Sequence, residues 1–177
     1  MRTAIVYEGN QGGSAAIARV IAAEAAGHGP VIVGEVGEVP ISELEGVDFL
    51  VVGGPTHRPD PEEGPRSPTT AHVLRGSQPA ANGVRPWLER VPARPGFSAA
   101  TFDTREPGLR VLTGTAALGL YRALRRRGCH LVTRPASFLV GPGPEGELLD
   151  GERERATLWA AAVFRRAEHH HPVRVAG

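Results

Sequence analysis

A short apolar run, Thr3-Ala4-Ile5-Val6-Tyr7, passes through Glu8-Gly9-Asn10-Gln11-Gly12-Gly13 directly into Ser14-Ala15-Ala16-Ile17-Ala18, the start of an amphipathic helix. Strand, glycine-rich turn and helix in so few residues make the first half of a βαβ unit. They leave free N–H groups at the favourable end of the helix dipole, which is how a chain builds an anion site from backbone. The turn holds no cation. An anion there would rest on the amides of Gly9, Gly12 and Gly13 and on the side chains of Asn10, Gln11 and Ser14, with Ser14 as the expected helix cap.

Downstream, apolar runs alternate with helical patterns, which argues for an α/β protein on a parallel sheet. Ile17, Ala18, Ile21, Ala22 and Ala25 recur at three- and four-residue spacing until Gly27, Gly29 and Pro30 stop the helix. A second strand begins at 31–33. Val47-Asp48-Phe49-Leu50-Val51-Val52 reads as a central strand covered on both faces and closed by Gly53-Gly54-Pro55. Residues 56–83 carry Pro59, Pro61, Pro65, Pro68 and Pro79, a composition that resists helix and ladder alike, and form a long loop suited to a lid. A short helix over 85–91, a strand over 98–102, a helix over 115–127, a strand over 129–133 that resumes at 137–140 beyond Pro135, and a helix over 151–167 complete one domain, 1–168. Residues 169–177 read as a polar tail.

Composition removes several chemistries. All 20 basic residues are Arg. Without lysine there is no Walker-type phosphate loop, no Schiff-base amine and no receiver-domain lysine. Twenty basic against 19 acidic residues give no field that points to nucleic acid or a membrane surface. Cys129 is the sole cysteine, so an internal disulfide and a cysteine-rich zinc site are excluded. With no apolar run long enough to span a bilayer and no leader pattern, the expected compartment is the cytoplasm. The spacing of Gly9, Gly12 and Gly13 does not match Gly-x-Gly-x-x-Gly, which weakens a dinucleotide reading.

The remaining motifs come in an order that resembles the flavodoxin family, and more closely the flavodoxin-domain proteins of high-GC Gram-positive bacteria. That group has Val-Tyr-Glu-Ser-x-x-Gly-Asn-Thr after its first strand, where this chain has Val6-Tyr7-Glu8-Gly9-Asn10-Gln11-Gly12-Gly13-Ser14. Gly53-Gly54-Pro55-Thr56-His57 matches the pattern after strand three, Val84-Arg85-Pro86-Trp87-Leu88 answers Leu-Arg-Glu-Trp-Leu, and Ala100-Thr101-Phe102-Asp103-Thr104-Arg105 answers Ala-Ala-Phe-Asp-Thr-Arg. Gly114-Thr115-Ala116-Ala117, Ser137-Phe138-Leu139-Val140 and Leu149-Asp150-Gly151-Glu152-Arg153-Glu154-Arg155-Ala156 follow in order.

The resemblance implies a doubly wound five-stranded parallel sheet of order 2-1-3-4-5, helices on both faces, and FMN as cofactor; flavodoxin is itself the standard illustration of this order. The FMN phosphate would sit in the loop of Gly9, Asn10, Gln11, Gly12, Gly13 and Ser14. The flavin ring would lie between Pro55, Thr56 and His57 on one side and Phe102, Asp103 and Thr104 on the other, with His57 and Phe102 stacking on it and Asp103 at its polar edge. Read without the resemblance, Phe102 and Trp87 are core residues, Asp103 caps a turn and His57 is a solvated loop residue.

The chain departs from the family in the phosphate loop, where Gly9, Gly13 and Ser14 replace Ser, Asn and Thr. Two side-chain donors are lost, each worth about 1 kcal/mol, or about 3 to a charged acceptor, so FMN would bind about a hundredfold more weakly unless Asn10 and Gln11 replace them. Glu8 is expected to turn away from the phosphate. Three functions fit: an FMN-binding electron carrier served by a redox partner protein, an NAD(P)H-dependent FMN oxidoreductase of the quinone-reductase type, or a scaffold that has kept the fold and lost the flavin. None of them needs a catalytic side chain or a metal.

Overall fold

The computed structural model describes residues 1–9, 12–56, 83–91, 97–108, 115–142 and 146–170. Strands β1 (Thr3–Tyr7), β2 (Val31–Glu35), β3 (Phe49–Pro55), β4 (Ser98–Arg105), β5 (His130–Leu131) and β6 (Ala136–Leu139) alternate with helices α1 (Gly13–Ala25), α2 (Val84–Arg90), α3 (Ala116–Arg126) and α4 (Glu152–His170). Every named pairing is parallel, and the sheet runs β2-β1-β3-β4-β5, with β6 also on β4. β5 and β6 are two segments of one fifth strand. They pair with Ser98–Ala99 and Phe102–Arg105 of β4 in turn, and Pro135, which has no N–H to give, lies in the break between them.

The two faces of the sheet are sorted by the period of two along each strand. Ile5, Tyr7, Phe49, Val51, Ala100 and Phe102 pack with Ile17 and Ile21 of α1 and Val163 and Phe164 of α4. Ala4, Val6, Leu50, Val52 and Ala99 pack with Trp87 and Leu88 of α2 and Leu120 and Leu124 of α3. α1 and α3 therefore lie on opposite faces, and the βα connections bring their N-termini to the carboxyl edge of the sheet. Cys129 packs against the second of these clusters, and burial pushes its thiol pKa up, as expected of a small apolar filler.

Two elements differ from expectation. β3 does not stop at Gly53 but runs through Gly54 to Pro55, and β4 continues through Asp103 and Thr104 to Arg105. The register Gly53↔Phe102, Gly54↔Asp103, Pro55↔Thr104 explains both extensions. A Cβ on Gly53 would enter the Phe102 ring, and one on Gly54 would lie 3.1 Å from Glu8 Cβ, so these glycines admit neighbours rather than end a strand. His169 and His170 also belong to the last turn of α4 rather than to a tail.

Candidate functional site

At the carboxyl edge, the helix that follows β1 differs from those that follow β3 and β4. α2 is capped from a distance: the Val84 N–H donates to Glu8 Oε2 at 3.1 Å, so Glu8 does turn away from the glycine loop. α3 is capped twice. The Ala116 N–H donates to Thr56 Oγ1 at 2.8 Å and the Ala117 N–H to Asp103 Oδ2 at 2.9 Å, while the Thr56 hydroxyl donates to the same Oδ2 at 3.0 Å. α1 has no such acceptor. Its N-cap is Gly12, without a side chain, and the amides of Gly13, Ser14 and Ala15 meet no acceptor among the described residues. Gly9 and Gly12 hold φ of 95° and 78°, backbone that L side chains resist, so the turn is built for glycine.

Ser14 is not the cap. It lies one residue inside α1, 4% exposed, with its hydroxyl 2.7 Å from Thr104 Oγ1 at the end of β4. The reason is steric as well as local. Beyond β6 the chain turns back, Val140 bridging Leu148 in antiparallel fashion, with the Gly141 N–H on the Glu147 carbonyl at 2.8 Å. A Cβ on Gly13 would collide with Val140 Cγ1 and come within 3.3 Å of the Gly146 carbonyl. Where the family pattern has Asn, this hairpin lies against the helix start and holds its first turn in place.

A cavity of about 610 Å³ opens beside that turn, between Gly12 and Ala16 of α1, Glu147, Leu148 and Leu149 of the hairpin, and Asp150, Gly151, Arg153 and Glu154 at the start of α4. Gly12, the N-cap of α1, lines this cavity, and three carboxylates against one guanidinium on its wall oppose an anion beside the helix start. The described residues contain no group of three or more His, Cys, Asp or Glu able to hold a metal, and no described helix is long and apolar enough to cross a membrane.

Solved structures of the same topology cover nearly the whole chain. Flavodoxin 2 from Bacillus cereus superposes with a TM-score of 0.69 at 20% identity, over 94% of this chain and 99% of that one. A flavodoxin from the domain Archaea gives 0.67 at 15% identity, over 96% and 100%. The chain has the flavodoxin fold. A flavodoxin described as WrbA-like, from Agrobacterium tumefaciens, also aligns, with a TM-score of 0.60 at 17% identity over 96% of this chain and 99% of that one. No protein-family model matches the sequence, and no curated protein matches it.

Within the flavodoxin fold the expected site residues divide. Gly9, Gly12, Gly13 and Ser14 do form the turn into α1, and Pro55 and Thr56 do lie at the end of β3, half-buried. Phe102 offers no ring to a ligand at this edge: it is 0% exposed, faces the α1/α4 layer and sits edge-on to Phe138 at 6.4 Å. Asp103 and Thr104 belong to β4 and are buried, Asp103 facing α3 and Thr104 facing Ser14. Burial drives the Asp103 carboxyl above the ordinary carboxylate range, and hydrogen bonds from the Ala117 N–H and the Thr56 hydroxyl, with the nearby Ser137 hydroxyl and the Arg105 charge, act against it. The Ser137 hydroxyl acts from nearby without a hydrogen-bond geometry that satisfies Oδ1. Asn10, Gln11, His57 and nearly all of the 56–83 loop lie outside the described residues.

Sequence reasoning missed the hairpin at Val140, although Gly141, Pro142 and Gly146 are turn residues that signal it. It also missed Glu152, which ties α4 to β6: its Oε2 accepts the Leu139 N–H at 2.9 Å and pairs with Arg155. One consequence concerns Gly9. Gly9→Ser, which would restore the family hydroxyl, places a side chain at positive φ and is expected to cost about 1–2 kcal/mol of stability. Urea unfolding of that variant checks the expectation, and an unchanged midpoint would refute it.

Proposed function

We propose that this flavodoxin-fold chain binds FMN, with its phosphate at the N-terminus of α1, and works in electron transfer with a redox partner protein. The observation that carries the reading is the contrast at the carboxyl edge. Glu8, Thr56 and Asp103 satisfy the first amides of α2 and α3, whereas those of α1 meet no acceptor among the described residues, so the dipole of α1 is left to an anion. The backbone of Gly12, Gly13 and Ser14 would hold the phosphate, with the glycines allowing close approach. When bound, the flavin supplies the one- and two-electron chemistry, and the protein's part is to orient it, exclude water and set the charge around it. Side-chain stacking by Phe102 has no place in this reading.

A second reading, a scaffold without flavin, is favoured by one observation: Val140 and Gly146 crowd Gly13, and Ser14 is tied to Thr104, where the family presents side-chain donors. Saturating the purified chain with FMN, removing the excess and recording the visible spectrum separates the two. Retained flavin with quenched fluorescence is the expected result, and a colourless protein would overturn the first reading in favour of the second. With flavin retained, steady NAD(P)H oxidation with a quinone and no added reductase would mark an oxidoreductase rather than a carrier.

A further inference from the structure

The middle of α4 lacks the polar outer face that a surface helix normally carries. Ala156, Ala160, Val163, Phe164 and Ala167 turn inward and are buried in the layer that α1 shares. The opposite stripe, read at intervals of four, three and four residues, is Glu154, Leu158, Ala161 and Arg165. Leu158 is 73% exposed, the most exposed large hydrophobic side chain among the described residues, and Ala161 and Ala162 beside it are half-buried. Between Arg155 and Arg165 the helix carries no charged residue on any side. A helix segment that is apolar all round is normally covered, and no described helix is long and apolar enough to cross a membrane.

On this stripe charge returns only at the two ends of the apolar stretch, with opposite signs. Glu154 and Arg165 are eleven residues apart, about 16 Å along the axis at 1.5 Å per residue, too far to pair within one helix. Neither is in an ion pair among the described residues. Turned about a two-fold axis, however, the stripe complements itself, because the pairs 154 with 165 and 158 with 161 are centred on the same point of the helix. The four-three-four spacing is that of a coiled-coil seam, and alanine lets two helices approach until a facing leucine fills the space above it. We propose that the outward face of α4 is the interface of a homodimer, in which two α4 helices pack antiparallel, Leu158 lies on the partner's Ala161 and Glu154 pairs with the partner's Arg165. Such an interface is isologous, so each contact occurs twice. Its mixed charge suits a second copy of this chain rather than a lipid surface, which selects a basic face. Glu154 also lines the cavity beside the start of α1, so the partner's Arg165 would set a cation against that acidic wall.

Sedimentation velocity of the full chain over a range of concentrations, at low ionic strength and without added flavin, tests the proposal. One helix pair buries less than the roughly 800 Å² per partner of a standard interface, so a reversible dimer with a micromolar dissociation constant is expected. L158E should leave only monomer. Its far-UV circular dichroism and its thermal midpoint, measured at a dilution where wild type is monomeric, should stay those of wild type, since the side chain lies outside the core. E154R or R165E alone should weaken the dimer at least tenfold, because each reversal sets two pairs of like charges together, and the E154R/R165E double variant should return to within threefold of wild type. A chain that stays monomeric throughout would overturn the proposal. So would a dimer unmoved by L158E, or one that the double reversal fails to restore, either of which would put the interface on another face. Should L158E not fold, the charge reversals decide alone, and retention of FMN plays no part in any of these outcomes.

Discussion

Replacing Gly53 with alanine is expected to remove about 3 kcal/mol of stability, lowering the thermal midpoint by about 6–12 °C in a chain of this length. Gly53 pairs with Phe102 across β3 and β4, and a Cβ built on it falls within the Phe102 ring. That ring cannot step aside. It is fully buried, it abuts Phe138 edge-on, and it belongs to the layer that α1 and α4 close. β3 is a central strand, covered on both faces, so moving its backbone would disturb both cores at once. The control is Phe102→Leu. Alone it should be destabilising by removing buried surface, but together with Gly53→Ala it should cost at least about 1 kcal/mol less than the sum, because the smaller side chain leaves room for the methyl. Urea unfolding of the four proteins measures that coupling. Additive effects, or a Gly53→Ala variant within about 0.5 kcal/mol of wild type, would show that the ring does not set the identity of residue 53.

Gly53 also shows where the sequence could and could not be read. The first strand, the face of α1 and the break in the fifth strand at Pro135 rest on local signals, periodicity and proline chemistry, and these survived folding. Gly53-Gly54-Pro55 carries a local signal too, and it misleads. A glycine that ends a strand and one that admits an aromatic ring from the neighbouring strand look alike until the register is known. The placement of Phe102 was legible in part: with Ala100 it falls on one face of β4 by the period of two, which assigns it to a core layer and not to a ligand. Ser14 and Gly13 were not legible, because what fixes them, Thr104 and Val140, is remote in sequence. The candidate site follows the same division. Its backbone, glycines running into a helix, was plain, whereas the side chains that cap the neighbouring helices and leave α1 uncapped became clear only from three-dimensional proximity.

Among those side chains Asp103 is the most demanding, and Asp103→Ala is expected to cost about 3–4 kcal/mol. The carboxylate is fully buried, and its Oδ2 accepts from both the Ala117 N–H and the Thr56 hydroxyl. Truncation would leave the buried Ala117 N–H and the half-buried Thr56 hydroxyl without this acceptor, at about 1–3 kcal/mol each. Asp103→Asn keeps an acceptor oxygen in place and should lose much less. The pH dependence separates burial from capping as the dominant influence on this group. Because burial raises the carboxyl pKa in the folded state above the unfolded value of about 3.9, the native protein holds the proton more tightly. The stabilisation from that proton is complete below the unfolded pKa and is lost as pH rises through the folded one. The stability of wild type relative to Asp103→Asn should therefore fall as pH rises from about 4, and level off once Asp103 is ionised. Urea unfolding of both proteins between about pH 3.5 and 8 tests this. A difference that grows with pH would mean that the amide at the start of α3 and the Thr56 hydroxyl outweigh desolvation. Thr56 opens the segment after β3, and Ala116 opens α3 after β4, so a single carboxyl joins the two connections at this edge of the sheet. Loss of that tie should loosen both together, and amide exchange at Ala116 and Ala117 should accelerate in Asp103→Ala far more than at Leu120, deeper in the same helix.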